Sequence, residues 1–166
     1  MLFQNIKQST HLYDNLIYFN MKEYFEKNPE SIPYLERLEE EWKMHGKIII
    51  AVDYDDTISP WKMHKANFNN VIEILKAAKI TGAYIVIFTA CNKDRYQEIK
   101  DYCSSNGLEI DSINETPIDL PYGKSGKVYA NIFIDDRAGL NESLRILEFA
   151  MYRVRGNKQS NNMYDF

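Results

Sequence analysis

The apolar run Ile48-Ile49-Ile50-Ala51-Val52 passes without a break into Asp53-Tyr54-Asp55-Asp56-Thr57. A continuous apolar run of this length, bounded by polar residues, predicts a parallel strand covered on both faces. Ligands in open α/β sheets bind beyond the carboxyl ends of such strands. The run therefore points to an α/β fold and sets Asp53 and Asp55 where a reaction would occur. Clustered acidic groups at the end of a buried strand are costly unless a cation or a hydrogen-bond network compensates them, so the pattern implies a divalent metal. Magnesium suits it, because it prefers hard oxygen ligands and keeps positions open for water and phosphate oxygens. Taken alone, D-x-D-x-T fits a helix cap or a closed turn equally well.

Further along, Ala83-Tyr84-Ile85-Val86-Ile87-Phe88 is a second apolar run ending in Thr89, and Ile132-Phe133-Ile134 leads into Asp135-Asp136. Between the strands, Val71, Ile74, Leu75 and Ala78 predict a helix from Asn67 to Ile80, stopped by Thr81-Gly82. A second helix is expected from Asp94 to Ser105, then a strand from Leu108 to Ile113. A polar loop with Pro117, Pro121, Gly123 and Gly126 follows. Asn141 to Tyr152 reads as a last helix. Alternating strands and helices favour a parallel sheet with right-handed crossovers.

In order, these stretches resemble the four motifs of the haloacid dehalogenase (HAD) superfamily of phosphohydrolases. D-x-D-x-T matches motif I, the strand ending in Thr89 motif II, Lys127 within GKVYANIFIDDRA motif III, and Asp135-Asp136 motif IV. The resemblance spans roughly Lys47 to Phe149 and is closest to a small subgroup whose last strand is a variant of K-x-x-A-D-I-Y-I-D-D-R. It implies a HAD-like Rossmannoid three-layer sandwich around a parallel sheet of order 3-2-1-4. The intervals that hold a cap domain in many members are used up by the predicted elements, so a capless, open site is expected, with Ile58 to Ala66 as a flap.

The resemblance also implies roles. Asp53 is the expected nucleophile, since a carboxylate can attack phosphorus covalently. Asp55, one pleat repeat on, would protonate the leaving oxygen and later activate water. Thr89, with Ala90 beside it, would bind phosphoryl oxygens, and Lys127 would supply a point charge, with Lys124 a rival for that place. The expected metal set is Asp53, Asp55, Asp136 and Asp135, with Asp136 the direct ligand and Asp135 acting through water or orienting its neighbours. Asp56 occupies a position that is often Gly in the family, and Arg137 either pairs with the acidic cluster or is a surface charge.

The expected activity is that of a magnesium-dependent phosphomonoesterase working through an aspartyl-phosphate on a small metabolite such as a nucleotide or sugar phosphate. One alternative keeps the chemistry on a nucleic-acid end, as in polynucleotide 3'-phosphatases, whose motif IV can also read D-D-R. The other is a non-enzymatic assembly protein that uses the fold as a scaffold. A net charge of -4 over 166 residues argues against general nucleic-acid affinity but leaves room for a local basic rim. Short apolar runs and the lack of a signal-peptide pattern give a cytoplasmic expectation and no membrane contact. The two cysteines suggest no disulfide framework. Cys103 reads as core; Cys91 reads as a small filler or a thiol near the site.

Three segments are expected: an N-terminal helical extension over 1–46, the phosphatase domain over 47–154 and a polar flexible tail over 155–166. In the extension, Leu12, Tyr13, Leu16, Ile17, Phe19 and Tyr24 suggest one helix ended by Asn28-Pro29. Leu35, Leu38 and Trp42 form the apolar stripe of another. That stripe should pack on the domain, substitute for a cap or meet a protein partner. On the flap, Trp61, Lys62, His64 and Lys65 fit either contacts to a nucleobase and phosphate or an ordinary anchored loop.

Overall fold

A computed structural model describes residues 19–62, 68–119 and 128–161, with side chains through residue 156. Strands β1 (Ile49–Val52), β2 (Tyr84–Ile87), β3 (Ser112–Ile113) and β4 (Ile132–Ile134) form one parallel sheet in the order β3-β2-β1-β4, as expected. Val52 pairs with Ile87 on one side and Ile134 on the other, so the exits of β1, β2 and β4 lie level. All four residues of β1 are buried, as the unbroken apolar run requires of a central strand.

Helices flank the sheet in a Rossmannoid arrangement: α1 (over 19–27), α2 (Ile32–His45), α3 (Phe68–Ile80), α4 (Tyr96–Ser105) and α5 (Leu140–Asn161). One face of the sheet, with Ile50, Val52, Ile85, Ile87 and Ile134, shares a continuous apolar core with Leu75, Ile99 and Leu147 from the helices. The other face carries Ile49 and Val86, which pack against Val128 from the segment before β4. Among the described residues no helix is long and apolar enough to cross a membrane.

The stripe of α2 is part of that core: Leu35, Leu38 and Trp42 are each fully buried, and α2 packs along α5. Polar contacts fix its angle. Ser31 Oγ donates to Glu142 Oε1 at 2.5 Å, and Arg37 donates to the Asn131 carbonyl at 3.0 Å, tying α2 to the starts of α5 and β4. Gly46 ends α2 at φ 68, and a Cβ on Gly82 would come within 3.1 Å of the Gly46 carbonyl, so both turns need glycine.

Several boundaries differ from expectation. In α1 it is Met21 and Phe25 that are buried, with Phe25 and Tyr24 against Phe149, while Phe19 is exposed. Leu12, Tyr13, Leu16 and Ile17 lie outside the described residues. Strand β3 is only the last third of the expected Leu108 to Ile113 run. Leu108 closes α4 through its N–H to the Cys103 carbonyl at 2.9 Å, and Asp111 pairs with Ile85 through its own carboxylate, at 2.6 Å. Helix α5 continues past Tyr152 to Asn161, into the segment expected to be a flexible tail. Arg155 anchors it, donating to the Thr81 hydroxyl and the Ala77 carbonyl, each at 2.8 Å, at the end of α3.

Candidate functional site

Three carboxylates converge beyond the ends of β1 and β4. Asp53, Asp135 and Asp136 each offer an oxygen, and these atoms lie within 4.8 Å of one another. The register accounts for it. Val52 pairs with Ile134, and the Asp53 N–H continues the ladder to the Ile134 carbonyl at 2.9 Å, so the residues that follow the two strands are neighbours. Burial pushes the Asp53 carboxyl up to about 6, the charges of Asp135 and Asp136 push in the same direction, and the Tyr54 N–H and Thr57 hydroxyl oppose them. Carboxylate oxygens this close repel unless a proton or a cation lies among them, and an all-oxygen donor set fits a hard cation such as magnesium.

Thr57 stitches the group together. Its fully buried hydroxyl donates to Asp53 Oδ2 at 3.1 Å and accepts the Asp136 N–H at 3.0 Å, so one side chain sets both the β1 exit and the β4 exit. Asp56 turns the chain at φ 64, the left-handed conformation that explains why glycine suits this position. Its carboxylate accepts the N–H groups of Trp61 and Lys62 at 2.8 and 2.7 Å, fixing the start of the flap.

Asp55 is held apart from the converging oxygens. Arg95 donates to both of its carboxylate oxygens, at 3.0 and 3.1 Å, in a bidentate pair. Arg95 also reaches Glu98 at 3.4 Å; its bonds to Asp55 first, and to Glu98 next, push its pKa up, and its guanidinium lies near the rings of Tyr54 and Trp61.

Thr89 follows β2 and is buried, with Ala90 exposed beside it. Asn114 holds it in place: its side chain accepts the Thr89 N–H at 2.9 Å and donates to the Thr89 carbonyl at 2.7 Å and the Tyr96 hydroxyl at 3.0 Å. Asn114 itself sits at φ 56, which Asn tolerates better than most residues. The Thr89 hydroxyl accepts the Cys91 N–H at 3.3 Å, which leaves its hydrogen available to a ligand oxygen.

Of the expected site residues, the structure thus groups Asp53, Asp135 and Asp136, sets Thr89 at the neighbouring strand end and pairs Asp55 with Arg95. Lys124 and Lys127 lie outside the described residues, as do His64 and Lys65. Arg137 is exposed, and its backbone N–H donates to Asp135 Oδ1 at 2.8 Å. Cys103 is core, its thiol pushed up to about 11 by burial, and Cys91 is half-buried.

Thr57, Asn114 and Arg95 have structural roles in the site that their places in the sequence do not announce equally. Thr57 had a signal, as the last letter of D-x-D-x-T, and Asn114 a fainter one, as an Asn closing a short apolar strand. Arg95 had none, because its partner Asp55 is 40 positions away.

No protein-family model matches the chain, and no curated protein matches it. Among solved structures it is similar to a conserved protein from Bacteroides thetaiotaomicron, with 23% identity, 72% of this chain and 99% of that chain covered, and a TM-score of 0.50. That likeness shows the fold, a parallel α/β sheet flanked by helices.

Proposed function

We propose that this chain is a magnesium-dependent phosphomonoesterase of the HAD type, acting on a small phosphorylated metabolite through an aspartyl-phosphate. The observation that carries the reading is the convergence of Asp53, Asp135 and Asp136 beyond the central strand ends. Asp53 would attack phosphorus, forming the Asp53 oxygen to phosphorus bond as the bond to the leaving oxygen breaks. Thr57 orients the attacking carboxylate through its 3.1 Å hydrogen bond. Asp55 would give the leaving oxygen its proton and recover one from the water that later attacks phosphorus and frees Asp53. Arg95 fixes the Asp55 carboxylate with one donor to each oxygen, which leaves a lone pair on each to carry the proton. Thr89 would donate to a phosphoryl oxygen, with Lys127 or Lys124 as the balancing cation. Magnesium, held by Asp53, Asp135 and Asp136, would supply charge neutralisation of the developing phosphoryl oxygens.

Two outcomes test the metal assignment. Asp136→Ala should raise the magnesium requirement more than Asp135→Ala, whose loss should stay near the roughly 10 to 100-fold typical of an orienting group. Magnesium titrations of the two variants decide this, and the reverse order would move the direct-ligand role to Asp135.

The second outcome is a pH dependence. A carboxyl raised to about 6 binds its proton more tightly folded than unfolded, so its ionisation makes the metal-free protein lose stability as pH rises from about 4 to about 6. Magnesium competes with that proton. Its stabilising effect should therefore be full above pH 7 and, at a hundredfold excess, about half as large at pH 5. At a hundredfold excess over Kd the gain is about 2.7 kcal/mol, or roughly 5 to 10 °C in Tm. Thermal unfolding at both pH values, with magnesium and with chelator, measures it, and an equal shift at both would contradict the assignment.

A further inference from the structure

The chain has two tryptophans. Trp42 is fully buried, whereas Trp61 is 56% exposed beside the candidate site. Exposure of so large an apolar side chain normally comes with freedom, but Trp61 is restrained at its backbone and on its ring. Its N–H is held by Asp56 Oδ1 at 2.8 Å, and Asp56 is itself locked in a tight turn by its N–H to the Ser59 carbonyl at 2.7 Å. The indole lies 5.3 Å from the Arg95 guanidinium carbon, within cation-π range, and the same guanidinium lies 5.7 Å from the buried Tyr54 ring. Arg95 is in turn pinned by Asp55. Three planar groups therefore run outward from the core, Tyr54, Arg95 and Trp61, and the last remains open to solvent. An aromatic surface ordered before its ligand arrives binds with less entropic cost.

We infer that Trp61, backed by Arg95, is a stacking subsite for the base of a nucleoside monophosphate; the inference rests on the phosphomonoesterase reading and names its substrate class. Arg95 contacts both the Asp55 carboxylate, which would meet the leaving oxygen, and the Trp61 ring, so a ring stacked on Trp61 is set off from the reacting phosphate, as the base of a nucleotide is by its sugar. Exposed Lys62, its N–H held by the same Asp56 oxygen, adds a positive charge to the same turn. Stacking alone reads no base identity, so all common bases should be accepted.

The test compares AMP with ribose phosphate as substrates of the full chain, in the wild type, Trp61→Ala and Trp61→Phe. The ratio of kcat/KM for AMP over ribose phosphate should fall about 10-fold in Trp61→Ala and by less than about two-fold in Trp61→Phe, as expected for loss and retention of one base stack. A uniform loss on both substrates, which a merely structural role would give, leaves the ratio unchanged and overturns the inference. If the wild type hydrolyses neither compound, tryptophan fluorescence decides the subsite, and the phosphomonoesterase reading is decided separately by a wider panel of phosphate esters. Quenching by AMP that is absent with ribose phosphate and lost in Trp61→Phe supports it, and no such quenching overturns it.

Discussion

Asp53→Asn should abolish hydrolysis of an aryl phosphate, with a loss of about 1,000-fold or more, while leaving the fold intact. The amide is nearly isosteric with the carboxylate and still accepts the Thr57 hydroxyl, but it cannot attack phosphorus and it removes one of the three charges that converge within 4.8 Å. Steady-state rates in saturating magnesium measure the loss. A compensating gain is expected in stability. The Asp53 carboxyl is pushed up to about 6 by burial and by its acidic neighbours, so replacing it with a neutral group should raise the Tm of the metal-free protein at pH 7.5. Inactivity together with a raised metal-free Tm would separate loss of the nucleophile from misfolding. A variant retaining most of the wild-type rate would show that Asp53 is not the nucleophile.

Trp42→Ala should destabilise the protein by about 3 to 5 kcal/mol, a large share of a domain's usual margin of about 5 to 15. Trp42, Leu35 and Leu38 are fully buried in the same core as the sheet residues Ile50 and Ile85, so α2 is part of the domain's interior and not an appendage. Deleting residues 1–45 should therefore leave an insoluble or unstable remainder. Trp42 Nε1 is buried without a hydrogen-bond partner among the described residues, so its contacts with them are packing contacts. Trp42→Phe, which keeps most of the apolar volume and removes the unmatched donor, should cost far less than the alanine change. Urea or thermal unfolding gives these values. A truncated chain as stable as the whole would mean that the core closes without α2.

The central strands were legible because burial on both faces forces an unbroken apolar run, and Ile48 to Val52 and Ala83 to Phe88 each supply one. Alternation pointed to a parallel sheet, and the order of its strands came from the family resemblance alone. What the sequence hid is mostly side chains standing in for backbone. Asp111 takes over part of the β3 ladder, and Asn114 clasps Thr89 from 25 positions away, a pairing without periodicity or local spacing to reveal it. The length of α5 was hidden for a related reason, since Arg155 anchors it only once α3 is beside it. In the site, Asp53 could be named because it ends an apolar strand, and Asp135 and Asp136 because the resemblance puts the acids after the last strand in the metal set. The Arg95 clamp on Asp55 could not, because it exists only when the start of α4 meets the β1 exit.

Phosphate release from a panel of nucleotides, sugar phosphates and 3'-phosphorylated oligonucleotides, with magnesium and with chelator, bears most directly on whether the acidic cluster performs phosphoryl transfer. Magnesium-dependent release is expected from at least one small phosphomonoester, and it should be lost in Asp53→Asn. No release from any member of the panel in saturating magnesium, or release that persists undiminished in chelator, would contradict it.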